Sequence, residues 1–166
     1  YKRQALLGKQ RGGPAKVAIV SSGLMGSMSG SVVTNVLTTG QLTIPAMRKS
    51  GMAPHMSGGV EACASTGGVL LPPIMGSTAF VMATLLDIAY IDVAAAAALP
   101  AALYFASLYL QIDAYAGREG VTGLAPADIP DLTNTLKTGW FYLGAFALLI
   151  FVLIFLQRES IAPYYA

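Results

Sequence analysis

Two long segments without a charged residue, each interrupted near its middle, constrain this chain more than any other feature. The first covers residues 17–47 and centres on Ser29-Gly30-Ser31. The second covers residues 62–86 and contains Ala64-Ser65-Thr66-Gly67-Gly68, followed by Leu71-Pro72-Pro73. A bilayer accepts irregular backbone only where protein or a water-filled cavity satisfies the freed N–H and C=O groups. Broken apolar helices therefore point to a solute path near the membrane midplane.

The rest of the composition agrees with a membrane setting. Only 11% of residues are charged, against about 25% in an ordinary soluble domain, and the mean hydropathy is +0.62. Abundant glycine suits closely packed membrane helices. The expected fold class is an all-α integral membrane protein. A single cysteine, Cys63, excludes an intrachain disulfide. With no activating group near it in sequence, Cys63 reads as a packing residue. Basic residues crowd the start (Lys2, Arg3, Lys9, Arg11, Lys16), and Arg48 and Lys49 follow the first segment. Without interleaved aromatics they do not indicate nucleic acid; they suit the cytoplasmic flank of apolar spans. The chain opens on Tyr1 without a signal-peptide layout and reads as a fragment of a longer polytopic protein.

Lengths turn these segments into a topology. The roughly 31 uncharged residues of 17–47 exceed the ~20 needed for one span but fall short of two spans and a turn. Basic residues at both ends suggest a re-entrant hairpin, about 15–47, entering and leaving by the cytoplasmic face. Pro54 then suits a helix start. Half-helices from there to about residue 64, and from 74 to 86, would make one crossing interrupted at Pro72-Pro73. Asp87 and Asp92 bound an acidic turn on the opposite side. Residues 93–112 read as a span with Pro100 as a kink, and Asp113 as an interfacial residue at its end. The polar run that follows reads as a cytoplasmic connection. The expected organisation is thus 1–123 (basic lead-in, hairpin, broken helix about 54–86, span), a connector at 124–138, and a last span within 139–166.

The site-like residues cluster at the breaks. Ser29, Gly30 and Ser31, with Thr34 and Asn35 one turn later, offer hydroxyls, an amide and backbone groups freed at two helix ends. Ser65, Thr66, Gly67 and Gly68 offer hydroxyls and carbonyls to a cation. A helix N-terminus after Pro72-Pro73 would present N–H groups to a carboxylate. Small residues also serve simply to let helices pack closely, but two breaks separated by a half-membrane helix favour an ion-and-solute site. Neutral oxygens suit a hard cation such as sodium. Glu61, one turn before the second break, has two readings: a proton carrier or cation ligand, or a residue leaning to the cytoplasm beside Lys49 or His55. The run Ser21-Ser22-Gly23-Leu24-Met25-Gly26 imitates a dinucleotide-binding loop. It has serine where the tight turn needs glycine, and no acidic residue follows until Glu61.

Several of these residues carry a resemblance. Gly12-Gly13-Pro14-Ala15-Lys16-Val17-Ala18, then Ser21-Ser22-Gly23-Leu24-Met25-Gly26 and Ser29-Gly30-Ser31, resemble the large membrane subunit of tripartite ATP-independent periplasmic (TRAP) transporters. Asn35-Val36-Leu37-Thr38-Thr39-Gly40, Ile44-Pro45-Ala46-Met47, Gly59-Val60-Glu61-Ala62 and the second break look like the fused permeases of its TAXI branch. The likeness covers about 12–123.

The resemblance implies an elevator-type permease with two inverted repeats in a bacterial or archaeal inner membrane. This chain would hold the end of the first repeat and the start of the second. Ser29, Gly30, Ser31 and Asn35 would join Ser65, Thr66, Gly67 and Gly68 around one cation, with sodium as coupling ion and no other cofactor or transition metal. Ser31, Thr34, Thr66, Pro72 and Pro73 would meet an organic acid. Partners would be a periplasmic TAXI-type solute-binding protein and a small membrane subunit or fused equivalent. The second hairpin and second broken helix are not in this sequence. Neither break carries arginine or lysine, so the group recognising the carboxylate would lie elsewhere. Two other classes compete: a channel or scaffold subunit, in which the breaks only shape a static bundle, and an enzyme in which Cys63, His55 and Glu61 converge.

Overall fold

The computed structural model describes residues 11–121 together with Gly123 and Gly144. The basic lead-in at 1–10, the connector at 124–138 and, Gly144 apart, the last span lie outside the described residues. Within them the regular structure is helical: α1 (Gly13–Ser29), α2 (Val32–Lys49), α3 (Pro54–Gly68), α4 (Ser77–Leu86) and α5 (Tyr90–Glu119).

Local chemistry sets each boundary. Pro14 sits in the first turn of α1, where its missing N–H costs no hydrogen bond. Gly30, at φ 61°, ends α1 and donates its N–H to the Gly26 carbonyl. Such a left-handed cap comes cheaply only to glycine. Ser31 then starts α2, its Oγ accepting from the Thr34 N–H. Arg48 and Lys49 close α2, where positive charge suits a helix C-terminus. Pro54 opens α3, and α5 ends at Gly120 with φ 67°.

The hairpin arms of 17 and 18 residues are about 26 Å long. They outrun the expected 15–47 at both ends but stay short of the ~20 residues of a full span. Two boundaries differ from the sequence expectation for clear reasons. Helix α3 runs through Gly68, so Ser65, Thr66, Gly67 and Gly68 are helical rather than irregular. The first missing N–H comes only at Pro72, so nothing before it removes a donor from the ladder. Helix α4 begins at Ser77 rather than Ile74, because Met75 takes a positive φ of 61° and Ile74 donates its N–H to Ser27 O at 3.1 Å.

Helices α1, α2 and α3 pack against one another, and α5 starts against α4 before bracing α1 and α3. One core joins Ala15, Ala18, Ile19, Met47, Val60 and Ala64 to Ile112 and Ala116 of α5. A second joins Met75, Ala79 and Ala83 to Tyr90, Val93 and Ala94. Helix α5 has 30 residues, about 45 Å against a ~30 Å hydrocarbon core. Among the described residues it is the helix long and apolar enough to cross a membrane. It continues through Pro100 well past the expected 93–112. Asp113 therefore lies inside a helix, not at its end.

Candidate functional site

The fold brings the two sequence breaks together. A Cβ on Gly30 would stand 2.5 Å from the Met75 carbonyl oxygen, so the hairpin tip rests directly on the backbone of the second break. Lower down, a Cβ on Gly26 would stand 2.6 Å from Gly68 Cα, and one on Gly68 would stand 2.8 Å from Ser22 O. Backbones this close tolerate no side chain, which accounts for glycine in both helices. Asn35, fully buried, donates Nδ2–H to Ser22 O at 2.7 Å and ties the hairpin arms beside Gly68.

The other sequence-predicted residues divide. Ser29, Ser31 and Thr34 form a solvent-facing tip, with Thr34 Oγ1 donating to Ser31 Oγ at 3.1 Å. Ser65 is buried against Glu61. Thr66 is exposed, its hydroxyl bonded to Ala62 O in its own helix at 2.8 Å. Gly67 faces α5, where its absent Cβ would stand 2.3 Å from Tyr104 Cε1. The Gly67 carbonyl accepts from the Val69 and Leu70 N–H groups, and the Gly68 carbonyl accepts from Leu71 N–H. Pro73 is buried, and Tyr90 Oη reaches both its carbonyl, at 2.8 Å, and that of Ile74, at 2.6 Å.

Glu61 is held by hydroxyls rather than by Lys49 or His55. It is 0% exposed and receives hydroxyls from three helices. Ser22 of α1 donates to Oε1 at 2.7 Å, and Ser65 of α3 to the same oxygen at 3.3 Å. Thr39 and Thr43 of α2 complete the set on Oε1 and Oε2. Gly40 leaves the room: its Cβ would stand 3.3 Å from Glu61 Cγ. Cys63 and His55 are exposed, so the convergence an enzyme would need is not formed.

Comparison with known proteins then decides the family. The family model for the tripartite ATP-independent periplasmic transporter, DctM component, matches residues 3–166. The chain belongs to the TRAP large permease family. A sialic acid TRAP transporter permease protein of Haemophilus influenzae is 40% identical over 42% of this chain and 11% of its own length. A putative TRAP transporter large permease protein of the same species is 35% identical over 46% of this chain and 17% of its own. The C4-dicarboxylate TRAP transporter large permease protein of Vibrio cholerae is 32% identical, over 48% and 18% respectively. The matched stretch spans less than a fifth of the length of these three curated relatives. TRAP large permeases are multi-pass inner-membrane transport proteins, not enzymes.

In this TRAP permease chain the sequence reading missed Ser22, Thr39 and Thr43. The signal was present: Asn35, Thr39 and Thr43 recur every four residues, one stripe of α2, and Glu61 and Ser65 share the same spacing on α3. It also missed the ion pair of Lys16, 3% exposed, with Asp113. The Lys16 ammonium lies 4.9 Å from the Tyr109 ring centroid. This pair links the hairpin base to α5, and neither residue stands alone as a flanking or interfacial charge.

Proposed function

We propose that this chain is part of the membrane permease of a secondary active importer, in which an ion gradient, sodium first, drives uptake of small organic acids. The observation that carries the reading is the meeting of the two breaks, Gly30 on Met75 and Gly26 on Gly68. In this reading the helix ends that meet there offer backbone carbonyls and hydroxyls to a cation. That arrangement suits a cation that must bind and leave again. Ser29, Gly30, Ser31 and Asn35 on the hairpin, with Ser65, Thr66, Gly67 and Gly68 on α3, supply its oxygens. Ser31, Thr34, Thr66, Pro72 and Pro73 border the solute. The relatives named for sialic acid and for C4-dicarboxylates both point to carboxylated solutes.

In this reading the hairpin is re-entrant, the broken helix α3–α4 crosses beside it, and the unit moves as an elevator against a static frame. A periplasmic solute-binding protein, of TAXI type, delivers the solute, and a small membrane subunit or its fused equivalent completes the permease. The rest of the permease contributes the group that grips the carboxylate. The test uses the full-length permease in proteoliposomes with its binding protein and labelled organic acids. Uptake that needs the binding protein and an inward sodium gradient is the expected result. Uptake indifferent to sodium and proton gradients alike would overturn the reading in favour of a channel.

A further inference from the structure

The second break carries a residue in an uncommon conformation. Met75 has a φ of 61°, a left-handed backbone that a side chain makes costly and that persists only where its surroundings hold it. The backbone around Met75 is what meets the hairpin. Ile74 donates its N–H to Ser27 O of α1 at 3.1 Å. A Cβ on Gly30 would stand 2.5 Å from Met75 O, and one on Gly76 would stand 3.7 Å from Gly30 O. The contact between the two breaks therefore depends on Met75 keeping this shape.

Tyr90, the first residue of α5 and 1% exposed, supplies a restraint. Its Oη donates to Pro73 O at 2.8 Å and to Ile74 O at 2.6 Å. A phenol has one proton, so a single O–H spans two successive carbonyls. The Ile74 carbonyl and the Met75 N–H belong to one rigid peptide plane. Carrying Met75 to a negative φ by turning that plane would swing Ile74 O away from Tyr90. The hydrogen bond resists the turn. Ile74 is thus held on both sides, by its N–H on α1 and by its carbonyl on α5. The ring is fixed in its turn: it stacks on Phe80 with centroids 4.4 Å apart and planes 9° from parallel. Ala79, Ala83, Val93 and Ala94 pack in the same cluster.

A hydroxyl that only satisfied two carbonyls in apolar surroundings would stabilise the fold and do nothing more. Here the peptide plane it holds also sets how the second break faces the hairpin tip. We propose that Tyr90 is a positioning residue for the cation site: its hydroxyl fixes the Ile74–Met75 peptide plane, and with it the fit of the second break on the hairpin. Tyr90 acts through the turn and contributes no oxygen to the ion. Its effect on the cation rests on the function proposed above; its hold on the turn does not.

The test compares Tyr90→Phe with Phe80→Leu in the full-length permease in lipid nanodiscs. The first removes the hydroxyl and keeps the ring; the second removes the stacking and keeps the hydroxyl. Both should lower the thermal unfolding midpoint, as any structural change here would. Only Tyr90→Phe should weaken sodium affinity, by about fivefold, the equivalent of one net hydrogen bond. Only Tyr90→Phe should quicken hydrogen exchange at the Ile74 amide. Unaltered sodium affinity in Tyr90→Phe overturns the proposal, and so does an equal loss in Phe80→Leu, which would mark general loosening. If Tyr90→Phe does not fold, the wild type decides: saturating sodium should slow exchange at the Ile74 amide, and exchange indifferent to sodium overturns the proposal. A wild type that binds no sodium defeats the transport reading instead. The hold on the turn is then read from exchange without sodium, where equal rates at Ile74 in Tyr90→Phe and Phe80→Leu overturn it.

Discussion

Gly26 and Gly68 meet backbone to backbone, so closely that a Cβ on Gly26 would lie 2.6 Å from the Gly68 Cα. Helix α1 of the hairpin and the end of α3 are thereby held at a separation that only two glycines permit. Gly26→Ala forces them apart and is expected to cost about 2 kcal/mol, the usual scale of overpacking. Gly58→Ala, where an added Cβ meets nothing within 4 Å, is expected to be neutral or slightly stabilising. Thermal unfolding of the full-length permease in detergent distinguishes the two; equal midpoints would show that the contact does not hold the hairpin.

The Lys16–Asp113 pair is asymmetric. The Lys16 side chain is 4% exposed, whereas that of Asp113 is 42% exposed. Asp113→Asn strands an enclosed ammonium and is expected to be the more destabilising change. Lys16→Met leaves a carboxylate that water can reach, and its cost is expected to be smaller. The double variant should be more stable than the sum of the single effects implies. A double-mutant cycle on denaturant unfolding reads this directly, and strict additivity would remove the coupling.

Tyr90 holds the second break from the far side. Its hydroxyl reaches the carbonyls of Pro73 and Ile74, while its ring stacks on Phe80 with centroids 4.4 Å apart. Tyr90→Phe keeps the stacking and removes the donor, for about 1 kcal/mol. Hydrogen exchange at the Gly76 amide, which donates to Val69 O, is expected to quicken more than exchange within α1. Unchanged exchange at Gly76 would mean that the turn holds its shape without Tyr90.

The sequence made the breaks legible because charge-free length and proline chemistry are local properties. Pro54, Gly30 and Ser31 announced their helix ends through the N–H they lack, the φ they permit or the cap they provide. Ser65 to Gly68 misled for a physical reason: small residues read as irregular in isolation, yet here they are helical because Gly26 and Tyr104 fill the space they leave. The Glu61 cluster was hidden since its hydroxyls come from three helices, and only packing decides which faces meet. The partner of Lys16 was hidden likewise, as Asp113 lies far along the chain, on a helix that outran its expected end.

Sodium binding to the full-length permease, measured for the wild type, Ser31→Ala and Thr66→Ala, tests the central claim most directly. Ser31 sits at the hairpin tip, where the two breaks meet, and its loss should weaken affinity about tenfold, equivalent to ~1.4 kcal/mol. Thr66 donates its hydroxyl proton to Ala62 O and keeps its lone pairs for a cation, so its loss should weaken affinity as well. Sodium affinity unaltered in both variants would contradict a cation site built from the two breaks.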